Sequence, residues 1–174
     1  MTTKPPGAGR SSFELIDHYR LFRRIDLAVG MTFLDVASGR GTYSLAAAEI
    51  LGPSGKVLAV DLWGEGIEGL KRQARERGLD NIRAEVSDLR ERIPFPDDCA
   101  DAALMATTLH DFVHDDRRDT VLREVARVLK SGGRLAVVDF FEHLDGSPGP
   151  PRHIRISAQQ VENTLAPTAS PGDM

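Results

Sequence analysis

The sequence predicts an α/β fold, a three-layer sandwich in which a mostly parallel, doubly wound sheet lies between two layers of helices. Three observations carry that expectation. The stretch Phe33-Leu34-Asp35-Val36-Ala37-Ser38-Gly39-Arg40-Gly41-Thr42 runs from an apolar strand through a turn of small residues into a helix at Tyr43–Leu51. A second strand, Lys56–Val60, ends in Asp61, about twenty residues beyond the turn. Strand-like runs near Ile82–Val86 and Ala102–Ala106 alternate with helical patterns near Ile67–Glu76 and Asp116–Lys130, the βαβ rhythm of a parallel sheet.

Taken in chain order, Met1–Arg10 is rich in Pro, Gly and Thr and reads as a disordered tail, which leaves residues 11–165 as one domain and 166–174 as a C-terminal tail. Phe13, Leu15, Ile16, Tyr19, Phe22, Ile25 and Leu27 recur at helical spacing before the first strand. That helix either packs its apolar face on the sheet or forms a lid over a ligand, with Tyr19 as the residue to watch. Arg134–Phe140 reads as a fifth strand and Ser157–Leu165 as a helix. The remaining Ala166–Met174 contains two prolines, which cannot donate ladder hydrogen bonds, so a sixth and seventh strand are not expected. The fifth strand would then present an apolar, unpaired edge of the kind that invites pairing, so that it is covered by the C-terminal segment or by another subunit, or the chain is a shortened version of a longer protein.

The turn at 37–41 is built to hold a ligand. Glycines at 39 and 41 let the backbone bend sharply and let a ligand approach the main chain, beside helix-start N–H groups that have no intrahelical partner. Asp61 stands at the offset where an acid meets ribose hydroxyls. The ligand's charge narrows its identity. A dinucleotide turn wants a third glycine, but Ser44 holds that position, and Asp35 precedes a loop that would have to hold pyrophosphate. NAD is disfavoured on both counts. A carboxylate there suits a ligand bearing an ammonium and a sulfonium, which is S-adenosylmethionine.

From about Ile25 to Phe141 the sequence resembles the class I S-adenosylmethionine-dependent methyltransferases, which have a Rossmann-like fold. Leu34–Gly41 is similar to the first motif of that family, Val60-Asp61-Leu62 to the acidic end of its second strand, and Val86-Ser87-Asp88-Leu89 to the segment that meets adenine. Ile93–Asp101 followed by Leu109-His110-Asp111 resembles its fourth-strand region, and Leu122–Gly133 the helix and turn before its fifth strand. Ala37 replaces a glycine common in the family, as in a subgroup that methylates quinone-like and other small molecules. The family normally adds a helix and a final antiparallel strand pair, so this sheet should be two strands short.

Ligands of such sheets sit beyond the carboxyl ends of the strands. The resemblance therefore implies that Asp35, Ala37, Gly39 and Gly41 face the methionine part, Asp61 the ribose, Leu62 and Trp63 the adenine face, and Ser87, Asp88 and Leu89 the adenine edge. Thr107 follows the fourth strand. Each has a plainer role available: Asp35 could cap the turn, Trp63 could be core, and Asp88 could be the N-cap of a short helix at Leu89. If the methyl acceptor is a hydroxyl or an acidic carbon, His110 is the best base, ahead of Asp111 and His114; its alternative is a hydrogen-bonded structural histidine in a loop. Asp139, Glu142 and His143 either contact substrate or lie in a solvated loop, and the turn-rich 146–153 segment either walls the acceptor pocket or links elements.

Composition bounds the rest. The 174 residues suit one domain, and a net charge of −4 with interspersed carboxylates gives no phosphate-binding footprint despite Arg72, Arg75 and Arg77 on one helix. Nucleic acid and membrane are not expected partners. One cysteine, Cys99, and no long apolar span or signal segment point to the cytoplasm, and a lone thiol is too few for a soft substrate such as arsenite. No His/Cys cluster has metal-ligand spacing, so methyl transfer to a small-molecule acceptor should be metal-free. The competing expectation is a module that binds S-adenosylmethionine without turnover, because the absent strands often help form the acceptor pocket.

Overall fold

Five strands lie side by side in the order β3-β2-β1-β4-β5, every neighbouring pair parallel, in a computed structural model that describes residues 8–114, 117–141 and 149–165. The strands are β1 (Thr32–Val36), β2 (Lys56–Asp61), β3 (Ile82–Val86), β4 (Ala100–Ala106) and β5 (Leu129–Val138). Helix α1 (His18–Arg24) precedes β1, α2 (Thr42–Leu51) and α3 (Gly64–Glu76) follow β1 and β2, and α4 (Leu109–His114) and α5 (Arg118–Val128) join β4 to β5. Helix α6 (Ala158–Leu165) comes last.

Alternation along the strands sorts the helices into two layers. Phe33 faces α1 and α2 in a core with Phe22, Tyr43 and Leu51, while Leu34 and Val36 turn to the other face with Val121, Val125 and Val128 of α5. Ile67, Leu70 and Ala74 form one stripe of α3 against Ala59 and Ala84. The central strands β1, β2 and β4 are buried on both faces, as the middle of a parallel sheet requires, while the edge strands β3 and β5 are partly exposed. The chain runs from β1 outward through β2 and β3, then crosses back to β4 beside β1. The carboxyl ends of β1 and β4 therefore flank the point where the winding reverses.

The loop before β4 is clamped by one side chain. Arg127 of α5 donates to the carbonyls of Ile93 and Phe95 and to the carboxylates of Asp97 and Glu124, and Glu124 in turn accepts from the Ile93 N–H. This fixes where β4 starts, and through β4 where its carboxyl end points.

Several boundaries differ from the sequence expectation. The N-terminal helix is split into a 3-10 turn at Phe13–Leu15 and α1, because Asp17 breaks the run and caps α1 by accepting from the Arg20 N–H at 2.9 Å. Phe22 is buried against Phe33 and Tyr43, whereas Tyr19 is 61 % exposed, so α1 packs on the sheet. Pairing with β4 begins at Leu129, breaks at a turn where Gly132 has φ +78°, and resumes from Arg134 to Val138 rather than reaching Phe140. A short helix, α4, holds His110 where a loop was expected. Asp88 opens a turn rather than a helix at Leu89.

On its outer side β5 pairs with no strand among the described residues, which hold five strands. Leu135, Ala136, Val137 and Val138 are half-buried there. The 149–165 segment instead brings Ile156 and Val161 into the α5-side core. Among the described residues no helix is long and apolar enough to cross a membrane. Glu142, His143, residues 1–7, Asp116, 146–148 and the 166–174 tail lie outside the described residues, as does the side chain of His114.

Candidate active site

The glycine turn folds back because two of its bonds leave no alternative. The Ser38 N–H donates to the Val60 carbonyl at 3.0 Å and the Gly41 N–H to the Ser38 carbonyl at 2.8 Å, which ties the end of β1 to the end of β2 and starts α2. Gly39 and Gly41 adopt φ +57° and +73°, where only glycine is unstrained. They serve different ends. A Cβ on Gly39 would meet nothing within 4 Å, so space lies beside it, whereas one on Gly41 would come within 2.4 Å of Leu70 Cδ1. Gly41 is buried and permits α2 and α3 to pack closely, not a ligand to approach.

Two acids meet at this turn. Asp61, at the end of β2, accepts from the Gly39 N–H and the Trp63 N–H, both at 2.7 Å, one on each oxygen. Burial pushes its carboxyl up, while the amides of Trp63, Gly39 and Leu62 pull it back down. Each oxygen still has a lone pair able to accept a ligand hydroxyl. Asp35, 2 % exposed inside β1, accepts from the Ser44 hydroxyl at 2.5 Å. Burial drives its pKa up to about 7, the Ser44 hydrogen bond opposes the rise, and the Asp61 charge adds to it. Ser44, standing where a dinucleotide turn has glycine, is thus the partner of the buried acid.

A cavity of about 50 Å³ lies on the Asp35 side of the turn, and Asp61 does not line it. Asp35, Ala37, Gly39 and Thr107 line it. Ala37 and Thr107 share an unusual feature: both have left-handed backbones, φ +57° and +56°, one just past β1 and the other just past β4. Strain of this kind concentrates where a chain is shaped for a ligand. The buried Ser38 hydroxyl has no hydrogen-bond partner among the described residues. An open space at Gly39, an unpartnered hydroxyl and two acids suit the amino, carboxylate and ribose groups of a nucleoside-linked amino acid. A larger depression of about 460 Å³ adjoins it through Arg40 and Thr42 and extends against Phe13, Tyr19 and Arg77.

The N-terminal segment forms the roof. Gly9, Arg10 and Ser11 line the cavity, so Gly9 and Arg10 depart from the tail reading. A Cβ on Gly9 would come within 3.2 Å of the Trp63 ring, Arg40 lies 5.9 Å from the centroid of that ring, and the Ser12 and Tyr43 hydroxyls hydrogen bond at 2.9 Å. Trp63 is buried beneath them and Leu62 is half-buried. Sequence reading missed this roof because Pro- and Gly-rich composition carries no periodicity from which to place it.

The remaining expected residues do not line the cavity. The Ser87 N–H donates to the Asp61 carbonyl at 3.0 Å, so the end of β3 adjoins the acid of β2. The Ser87 hydroxyl donates to the Arg92 carbonyl, and Arg90 grips Asp88 through both oxygens, which holds that carboxyl below its usual range. Leu89 is buried core. His110, 5 % exposed, does not line the cavity; its Nδ1 lies 2.7 Å from Asp139 Oδ1, a pairing between α4 and the residue after β5 that sequence reading did not foresee. No group of three or more metal-ligating side chains occurs among the described residues.

This strand order, with a glycine turn at the winding reversal and an acid closing β2, defines a Rossmann-like nucleoside-binding fold. The chain belongs to the methyltransferase domain family, whose model matches residues 27–167. A ubiquinone/menaquinone biosynthesis C-methyltransferase, UbiE of Hahella chejuensis, is 34 % identical over 128 residues, covering 70 % of this chain and 50 % of its own. The chain thus spans about half the length of the curated relatives it matches. A SAM-dependent methyltransferase from Aquifex aeolicus superposes with a TM-score of 0.80 at 30 % identity, over 93 % of this chain and 81 % of that one. The cyclase SpnF superposes at 0.70 with 29 % identity, over 85 % and 53 %. Related chains on this fold thus carry names of different chemistries, and activity has to be argued from the site.

Proposed function

We propose that the chain binds S-adenosylmethionine at the carboxyl ends of β1 and β2 and transfers its methyl group to a small-molecule acceptor. The observation that carries this reading is the Asp61 carboxylate, anchored by the Gly39 and Trp63 amides at the winding reversal with a lone pair left on each oxygen. Asp61 would hold the ribose hydroxyls, and Ser38 with the Gly39 turn would hold the amino-acid end. Asp35 would lose its proton to become the counter-charge of a cationic ligand. When bound, the cofactor supplies a methyl group on a sulfonium, whose carbon–sulfur bonding pair leaves with the sulfur. The chain's own residues align the reactants and exclude water, the main sources of rate in such a displacement. In this reading the roof at Gly9–Ser11, packed on Trp63, would exclude water.

The acceptor class follows from the relatives named C-methyltransferases of quinone biosynthesis. An acidic ring carbon of a quinol-like molecule is therefore the first acceptor to try, and the cytoplasm the compartment in which to look. The free side of β5 is assigned to pairing between two copies of the chain. A screen of 1,4-naphthoquinol, catechol, a primary amine and a thiol, read as release of S-adenosylhomocysteine, tests turnover. Release with at least one acceptor supports a transferase; cofactor binding with no release from any leaves a binding module.

A further inference from the structure

We propose that Asp139, His110 and Asp111 form a proton relay at the carboxyl ends of β4 and β5, in which His110 takes the proton that the methyl acceptor releases and Asp139 is a positioning residue. This rests on the methyltransferase reading. Asp139 Oδ1 lies 2.7 Å from His110 Nδ1, and its other oxygen accepts from the His110 backbone N–H at 3.2 Å, so one carboxylate grips both ends of the residue. The Phe140 N–H donates to Oδ1 at 2.8 Å and holds the carboxylate itself. The side chains of His110 and Asp139 are 6 % and 4 % exposed. A buried ion-pairing group is costly unless its geometry is fixed this fully.

The geometry sets the tautomer. A carboxylate only accepts, so the neutral imidazole carries its hydrogen on Nδ1 and presents a lone pair on Nε2. On that side Asp111 Oδ1 lies 3.4 Å away, and Asp111 is 57 % exposed. The relay therefore runs from a buried end to solvent. An acceptor that gains a methyl group in place of a hydrogen loses one proton. That proton goes to Nε2, while Nδ1–H stays with Asp139, and then passes to Asp111 and water, which restores the neutral imidazole.

The charged surroundings agree. Burial disfavours the imidazolium, but the hydrogen bond and charge of Asp139, with the charge of Asp111, outweigh it and raise the His110 pKa. On the elements packed against α4, the charged or titratable groups are Arg118, Asp119, Arg123, Glu124 and Arg127 of α5 and Arg152 and His153 of the 3-10 turn, while Arg155 has its guanidinium over Phe140.

The test pairs an NMR titration of His110 with the pH profile of kcat on whichever acceptor the screen returns. Asp139→Asn should lower the His110 midpoint by about one unit and reduce kcat by roughly 100-fold, with the acid limb of the profile moving in the same direction. Asp111→Asn, at an exposed position, should shift the midpoint less and slow turnover. Asp139→Glu, which keeps the carboxylate, should retain the titration if Asp139→Asn fails to fold. A lowered midpoint with an unmoved kcat profile overturns the relay and leaves a structural pair. An acceptor-free screen removes the proton the relay would carry and overturns it too. Cofactor binding, read separately, distinguishes failure of the relay from failure of the methyltransferase reading.

Discussion

Asp35 is the residue on which burial and charge act most strongly. In the folded chain its carboxyl titrates near 7, against an ordinary value near 3.8. Folding therefore favours the protonated acid, and the folded chain keeps a proton that the unfolded chain loses. Stability should fall as pH rises from about 4 to about 7 and level off above that, by on the order of 4 kcal/mol. Asp35→Asn keeps an acceptor for the Ser44 hydroxyl and carries no charge. Urea midpoints measured from pH 4 to 8 should then be flatter for the variant than for the parent, and parallel curves would count against the buried acid. A cationic ligand reverses the balance, so binding below pH 7 should release a proton.

Elements are held in place by few side chains, and Arg127 is the most connected of them. It joins α5 to the loop before β4 through two backbone carbonyls and two carboxylates. Arg127→Ala leaves those carbonyls without their donor and should destabilise the chain by about 2–3 kcal/mol, read as a lowered urea midpoint at unchanged slope. The elements themselves were largely legible in the sequence. β3 matches its expected span, and α2 and β2 differ by one residue at an end, because apolar period and glycine punctuation fix them locally. The N-terminal helix and the start of β5 were not legible. Asp17 interrupts an otherwise helical stripe, and the Leu129–Ala100 pairing depends on a partner strand far away in sequence.

At the scale of the molecule, the site was legible where a motif coincides with a strand end and hidden where distant segments meet. Ala37, Gly39 and Thr107 were found because they follow β1 and β4, and Asp35 and Asp61 because they stand in the carboxyl-terminal halves of β1 and β2. The roof at Gly9–Ser11 and the Asp139–His110 pair arise only when segments far apart in the chain are brought together. Gly41 shows the limit of motif reading, since its lack of a side chain serves Leu70. The free side of β5 belongs to this scale as well. Light scattering over a range of concentrations should show a dimer, and a strictly monomeric particle at high concentration removes the assigned pairing.

The proposed function stands on the binding of S-adenosylmethionine by the Gly39 turn and Asp61. Its most direct test is calorimetric titration of the chain and of Asp61→Ala with S-adenosylmethionine, S-adenosylhomocysteine and NAD. The parent should bind the first two and not the third, and the variant should lose roughly 1–3 kcal/mol of that affinity, the usual cost of removing a charged hydrogen-bond partner. Affinity unchanged in Asp61→Ala, or a parent that binds none of the three, would contradict it.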